Sequence, residues 1–283
     1  MSADPLHLWP ITKWAESQKV FKADWPRGIP GFTVLERQRE WIEKGLDYGF
    51  KVYVPYGDVW NGIVGVNEKS TFYEIVIQCP KNDTSKLAEA LKATKVIDWK
   101  KRVILPFTPK HIFECIKNVL ADLNVEVLRS ILSQSFYLDK DTALFEDVSL
   151  PPGVTFDILN EHHIETVDAH WPHRYPGSSW YFELLIKSKS GYGLFLNGEL
   201  ICWMLNNEFG IITHVYTLEN HRKKGYSEKL MKLVSNIILK ESKHVFVFCV
   251  ADNVSASNLY NKLGFSNYNE CEVSWYWLKS KNE

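Results

Sequence analysis

The chain has 283 residues, which at about 150 residues per domain suggests two domains. Hydrophobic residues make up 45% and charged residues 24%, the balance of a globular protein with a full core. A formal net charge of −1 argues against a polyanion partner, so no nucleic acid is expected, and no apolar run approaches the ~20 residues of a bilayer span, so no membrane is expected either.

In the first half, residues 50–55 and 71–78 are apolar runs suited to strands. Residues 84–95 and 109–121 read as helices. Thr84 stands where an N-cap belongs, and Leu87, Ala88 and Leu91 share one face behind it. The half is mixed α and β and carries no chemical motif. A charged stretch from Asp139 to Thr142, then Leu150-Pro-Pro-Gly153, marks a boundary. The expected domains are 1–145 and 150–283.

The second half starts with a strand over 154–159. Ser178 or Ser179 caps a helix running to about Lys187. Two apolar runs then flank Asn197-Gly198, the strongest short-range hairpin signal. A third strand, 211–218, leads through a basic turn to a helix whose buried stripe is Leu230, Val234, Ile237 and Ile238. Strand 244–250, a short helix and an aromatic-rich strand, 272–278, complete the order.

Cys79, Cys115, Cys202, Cys249 and Cys271 are odd in number and never spaced as CxxC. That spacing argues against a disulfide framework or a structural zinc site and for a reducing compartment. The opening residues show no basic segment followed by an apolar one. The expected location is intracellular, with cytoplasm and mitochondria left open. His162, His163, His170 and His173 lack the spacing of a closed zinc site, and no metal is expected.

Two segments carry chemistry. The first is Thr217-Leu-Glu-Asn-His-Arg222-Lys-Lys-Gly225-Tyr-Ser227, between a strand and a helix. Unsatisfied N–H groups and the helix dipole favour an anion at such a junction. Gly225 permits close approach of backbone to a phosphate, and Arg222, Lys223 and Lys224 add charged donors. The second is Asn253-Val-Ser-Ala256-Ser-Asn-Leu-Tyr260-Asn-Lys-Leu-Gly264-Phe265. Ala256, Leu259, Tyr260 and Leu263 lie on one helical face, which turns Tyr260 inward, and Gly264 ends the helix.

Together, Arg222-x-x-Gly225-x-Ser227 and Asn253-x-x-Ala256-x-x-Leu-Tyr260-x-x-Leu-Gly264-Phe265 resemble the two signature motifs of the GNAT superfamily, over roughly residues 155–278. Ser227 departs from the usual Gly or Ala. The resemblance implies an α/β (α+β) fold with a mixed, mostly antiparallel sheet and flanking helices in the C-terminal domain. It also implies acyl-CoA or acetyl-CoA as co-substrate. Its expected contacts are Val215, Tyr216, Thr217, Arg222, Lys223, Lys224, Gly225, Tyr226, Ser227, Asn253, Ala256 and Tyr260. The N-terminal half alternates strands and helices without such a turn. It is a candidate degenerate copy of the fold, expected to bind no CoA and to cover the acceptor side of the cleft. Shorter stretches resemble the animal glycine N-acyltransferase-like family: Val96-Ile-Asp-Trp99-Lys-Lys, His170-Trp171-Pro-His, Gly198-Glu-Leu-Ile-Cys-Trp203 and Tyr216-Thr-Leu-Glu-Asn-His-Arg222. That family implies a small amine acceptor such as glycine or another amino acid.

The implied reaction is direct attack of the amine on the thioester. It needs an oxyanion donor, expected from 215–217, and an acid for the leaving thiolate, a role that family position gives to Tyr260. The place of the family's basic Glu is held by Ile211. Glu208, three residues earlier, reaches the site only if the hairpin bulges or shifts register. His214 is the alternative, since an unperturbed pKa near 6.5 suits proton transfer. A water relay or no dedicated base also remains. Glu219 and His221 read as loop residues. Arg174 is a candidate for an acceptor carboxylate, though a surface arginine in a Pro/Gly loop is the simpler reading. The rivals are an acetyltransferase for another amine or a protein lysine, and a non-catalytic acyl-CoA-binding protein. Segment 160–190 does not read as the markedly acidic site a polyamine or histone tail requires.

Overall fold

The computed structural model describes residues 3–69, 72–267 and 272–281. In chain order the elements are β1 (Leu6–Leu8), α1 (Trp14–Ala23), α2 (Ile29–Glu43), β2 (Lys51–Pro55), β3 (Ile63–Lys69), β4 (Phe72–Gln78), α3 (Ser85–Ala93), β5 (Val103–Pro109), α4 (Lys110–Asp122) and β6 (Val125–Leu138). There follow β7 (Val154–Ile158), α5 (Ile164–Ala169), α6 (Ser179–Lys187), β8 (Gly191–Leu196), β9 (Glu199–Asn206), β10 (Ile211–Thr217), α7 (Tyr226–Lys240), β11 (Val245–Val250), α8 (Val254–Lys262), β12 (Ser266–Asn267) and β13 (Val273–Ser280).

Two compact units result. One runs to Ser135 and takes in Val250–Asp252 and the last strand, while the other comprises Phe136–Cys249 and Asn253–Asn267. This partition differs from a simple cut between 145 and 150. β13 pairs antiparallel with β5 and with residues 125–133 of β6, so the C-terminal strand is built into the first unit. The end of β6 belongs to the second, where Phe136 and Leu138 enter the core and β12 pairs with Tyr137 and Phe136.

In the first unit the strands run β1-β2-β3-β4-β5, antiparallel except for the parallel pair β4–β5. α3 and α4 cover this sheet. Leu87 and Leu91, with Ile112, Ile116, Val119 and Leu120, recur every three or four positions and are fully or almost fully buried. In the second unit β7-β8-β9-β10-β11 repeats the order, antiparallel except for the parallel pair β10–β11. The stretches β1 to β6 and β7 to β12 thus each read strand, two helices, three strands, helix, strand, helix, strand, and β13 is an additional strand of the first unit.

The Asn197-Gly198 turn forms as the sequence predicts. Both residues have positive φ, 50° and 89°, which a two-residue hairpin turn requires, and Leu196 pairs with Glu199 across it. On α7 the buried stripe is Leu230, Met231, Val234, Ser235, Ile238 and Leu239. Ile237, expected in that stripe, is half-buried at its edge, because 100° per residue carries the core face through 231 and 235 instead. Thr84 and Ser178 occupy the N-cap positions of α3 and α6, but neither side chain bonds the helix. Asp83 accepts from the Ser85 amide at 3.0 Å instead, and the Ser178 hydroxyl donates to Asp168.

Candidate functional site

The site grows from an irregularity in β10. Thr213 pairs with Leu205 and Tyr216 with Trp203, so three steps on β10 oppose two on β9. The extra residue is a β-bulge, and it puts His214 at φ 53°, a conformation few non-glycine residues adopt. β10 registers with β11 only over Ile211–Ile212, against Phe246 and Val247. Beyond that point no pairing between the two strands is described, and they splay. The Leu218 amide donates to the Ile201 carbonyl. Antiparallel alternation then directs the Tyr216 amide to β9 as well and that of Thr217 to the opposite edge, facing the splay. Of the three amides expected as donors, Tyr216 is therefore engaged within the sheet.

Next along the chain comes the basic turn. Gly225 has φ 78° and a Cβ there would meet nothing within 4 Å, so backbone and not crowding selects glycine. The first α7 bond is Lys229 N–H to the Gly225 carbonyl, which leaves the preceding amides at the helix start without helical acceptors. Arg222, Lys223, Lys224 and Gly225 are exposed around them. Arg222 is pre-positioned: Nε donates to the Thr217 carbonyl at 3.1 Å, and the guanidinium lies over the Tyr216 ring, 5.3 Å from its centroid. Lys224 donates to the Asn220 carbonyl at 3.1 Å. Tyr226 differs from expectation, for its side chain is buried in the core and only its backbone faces the turn. Thr217 Oγ1 donates to Cys202 Sγ at 3.1 Å and lies 2.8 Å from Ser227 Oγ. Burial pushes the Cys202 thiol up to about 11. Backbone amides at a helix start, among exposed cationic side chains, suit an anion such as a diphosphate.

α8 behaves as its spacing predicts. Tyr260 and Leu263 are buried and Ala256 and Leu259 pack beside them. Asn253 caps the helix, its Oδ1 accepting from the Ala256 amide at 3.1 Å. Tyr260 packs against Phe136 and Phe265. Burial first, and then the Cys249 thiol, raise its pKa well above the ordinary phenol range. Among the described residues its hydroxyl has no hydrogen-bond partner.

His214 and Glu208 prove to be neighbours of one residue that the sequence did not single out. The His214 ring is enclosed by Trp171, Phe182 and Tyr181, with centroids at 5.3, 5.3 and 6.1 Å. Desolvation in this cage, and then His173, push its pKa down to about 3, so the value near 6.5 does not hold here. Glu208 sits in the tight β9–β10 turn, where Asn207 Oδ1 accepts from the amides of Phe209 and Ile211 at 3.0 Å each. Its side chain has no exposed surface, and Oε2 accepts from the Tyr181 hydroxyl at 2.9 Å. The bulge that the Glu208 reading required exists, but it follows Glu208 and displaces His214. Ile211 is buried.

A cavity of about 730 Å3 lies between α5 and the start of α6, lined by Glu161, Glu165, Asp168, Arg174, Tyr175 and Ser179 among others. Three carboxylates therefore line one cavity where segment 160–190 looked unremarkable, because residues a helical turn apart come to one side. Arg174 Nε donates to Asp168 Oδ2 at 2.8 Å, so this arginine is already held by a carboxylate. His170 Nδ1 bonds the Thr166 carbonyl at 2.8 Å and its ring packs on Trp203 and Tyr216. Among the described residues no group of three His, Cys, Asp or Glu side chains is arranged to hold a metal ion.

In the first unit the equivalent strand-to-helix connection is Cys79-Pro80-Lys81-Asn82-Asp83-Thr84. It contains no glycine. The Asp83 carboxylate, held below its ordinary range by the Ser85 hydroxyl and amide, already stands at the start of α3.

The family model described as FR47-like protein matches residues 191–275. No curated protein sequence matches the chain. Among solved structures, a Drosophila protein aligns with TM-score 0.85 at 19% identity over 98% of this chain and 99% of its own. A GCN5-related N-acetyltransferase from Sphaerobacter thermophilus aligns with TM-score 0.54 at 12% identity, covering 98% and 96%. A tandem GNAT protein from the clavulanic acid biosynthesis pathway aligns with TM-score 0.54 at 11% identity, covering 96% and 97%. At these identities the likeness is one of fold, and the fold is that of GNAT acetyltransferases in a two-domain arrangement.

Proposed function

We propose that the second unit is an acyl-CoA-dependent N-acyltransferase acting on the amine of a small acceptor, with glycine or another amino acid as the first class to test. The observation that carries this reading is the splay of β10 from β11 after Ile212, directly before the open cationic turn at the start of α7. The Arg222–Ser227 turn would hold the diphosphate, and the β10 edge at Val215 and Thr217 would receive the pantetheine arm and the oxyanion. The acyl-CoA supplies an activated thioester carbonyl. Arg222 orients through its bond to Thr217 and neutralises charge. Tyr260 hydrogen-bonds the departing sulfur. With its pKa raised, it keeps its proton through the physiological range, since a thiol near 8.5 is the stronger acid.

A second reading has an observation of its own. The carboxylates of Glu161 and Glu165, in one cavity with the Asp168–Arg174 pair, favour an acceptor carrying extra positive charge, such as a polyamine or a protein lysine. The resemblance to the glycine N-acyltransferase-like family favours the neutral amino acid.

The experiment is thiol release from acetyl-CoA and benzoyl-CoA against a panel of small amino acids, polyamines and lysine peptides, beside Tyr260→Phe. Turnover with an amino acid, reduced at least tenfold in the variant, supports the first reading. Turnover confined to polyamines or lysine peptides supports the second. CoA binding without turnover for any acceptor would overturn both in favour of an acyl-CoA-binding protein, with Ile211 in place of a basic residue as the feature behind it.

A further inference from the structure

We infer that Tyr181 is a catalytic residue of this site, taking the first proton from the acceptor ammonium and passing its own to Glu208; the inference rests on the transferase reading above. Only a neutral amine attacks a thioester, and an alkylammonium with a pKa near that of lysine, about 10.4, is almost wholly protonated at pH 7. A proton acceptor therefore has to stand beside the bulged strand. Glu208 has the chemistry but no exposed surface, so no acceptor molecule touches it directly. Tyr181 removes that difficulty. It is half-buried on α6, its hydroxyl donates to Glu208 Oε2 at 2.9 Å, and its ring lies 6.1 Å from that of His214 at the β10 bulge. One end of this residue is bonded to the buried carboxylate, and its ring edges the strand that carries the splay.

The proton balance is simple. An ammonium N–H bond breaks as the Tyr181 oxygen takes that proton, and the original phenolic O–H proton moves to Glu208 Oε2. The products are a neutral amine, an intact phenol and a protonated Glu208, which after turnover returns a proton to the Tyr181 oxygen as the phenol releases its own to water. The amine's second proton leaves after attack, with the sulfur as thiol. His214 does not compete for the proton near neutral pH, because its cage of Trp171, Phe182 and Tyr181 disfavours the imidazolium. Its role is to pack the phenol in place.

The test compares two acceptors in the full chain, an alkylamine that is protonated at pH 7 and methoxyamine, whose much lower basicity leaves it neutral. Wild type, Tyr181→Phe and Glu208→Gln are assayed by thiol release at saturating acetyl-CoA, and CoA affinity is measured by calorimetry. The relay predicts that Tyr181→Phe lowers kcat/KM for the alkylamine about 100-fold, within the range of general-base contributions. It predicts a change of less than threefold for methoxyamine and no change in CoA affinity. Glu208→Gln should follow the same pattern. If Glu208→Gln fails to fold, Tyr181→Phe decides alone, since it removes one hydroxyl and leaves the ring packing. Equal losses on both amines would mean a structural role and overturn the relay, as would full activity of Tyr181→Phe. No turnover of either amine by wild type would overturn the transferase reading itself.

Discussion

The hydroxyls of Thr217 and Ser227 lie 2.8 Å apart. Because Thr217 also donates to Cys202 Sγ, the shared proton comes from Ser227, and a chain of bonds runs from α7 through β10 to β9. It fixes the first turn of α7 against the edge that carries Arg222. Serine at 227, a departure from the usual small residue, thus has a positive use. The Ser227 side chain is held on Thr217 while its amide remains at the helix start.

Ser227→Ala should lower unfolding free energy by about 1 kcal/mol, the net worth of a typical hydrogen bond. It should also weaken CoA binding several-fold, because the turn loses its anchor. Denaturant titration and calorimetry check the two effects separately. Unchanged CoA affinity would show that the helix start is fixed by other contacts.

Gly225→Ala tests the turn's backbone. Since a Cβ meets nothing within 4 Å while φ is 78°, the penalty is conformational, about 1–2 kcal/mol. Gly225→Asn should cost less, because Asn tolerates the left-handed region. The order Gly, Asn, Ala in both thermal stability and CoA affinity is the expected result.

Arg222→Ala removes a cation held by Thr217 and Tyr216. KM for acetyl-CoA should rise about tenfold, the equivalent of about 1.4 kcal/mol, with kcat little changed. The wild-type KM should also rise with salt more steeply than the variant's, since one screened charge is gone.

The lowered His214 pKa makes a prediction for stability. The unfolded chain takes up a proton near 6.5, but the folded one resists it down to about 3, so the unfolded state binds more protons across that interval. The stabilising effect is complete above 6.5 and is lost as pH falls toward 3. His214→Phe should therefore flatten the decline in thermal midpoint between pH 7 and pH 4. No limb attributable to His214 should appear near pH 6.5 in kcat/KM. A limb there that vanishes in the variant would show that the cage opens during turnover.

Much of the second unit was legible because its signals are local. The hairpin needs positive φ at Asn197 and Gly198, and the sequence places there the residues that adopt it most readily. The inward Tyr260 follows from helical spacing, and the turn at Gly225 from a glycine and basic residues at a strand–helix junction. Several elements of the first unit, among them α1 and α2, announce themselves less clearly. β6 was missed because its exposed start and buried end, split between two units, break the alternation of an ordinary strand.

What remained hidden depends on distance along the chain. Cys202, Thr217 and Ser227 come from three elements, as do Tyr181, His214 and Glu208, and no spacing rule connects residues from α6, β10 and a hairpin turn. The sequence determined the fold of the second unit and the basic turn before α7, since backbone preferences and periodicity act over a few residues. Tertiary structure alone decided the surroundings of Glu208 and His214. That outcome depends on a cage of aromatic rings that desolvates one side chain and a phenol that reaches the other, and both are set by packing between elements.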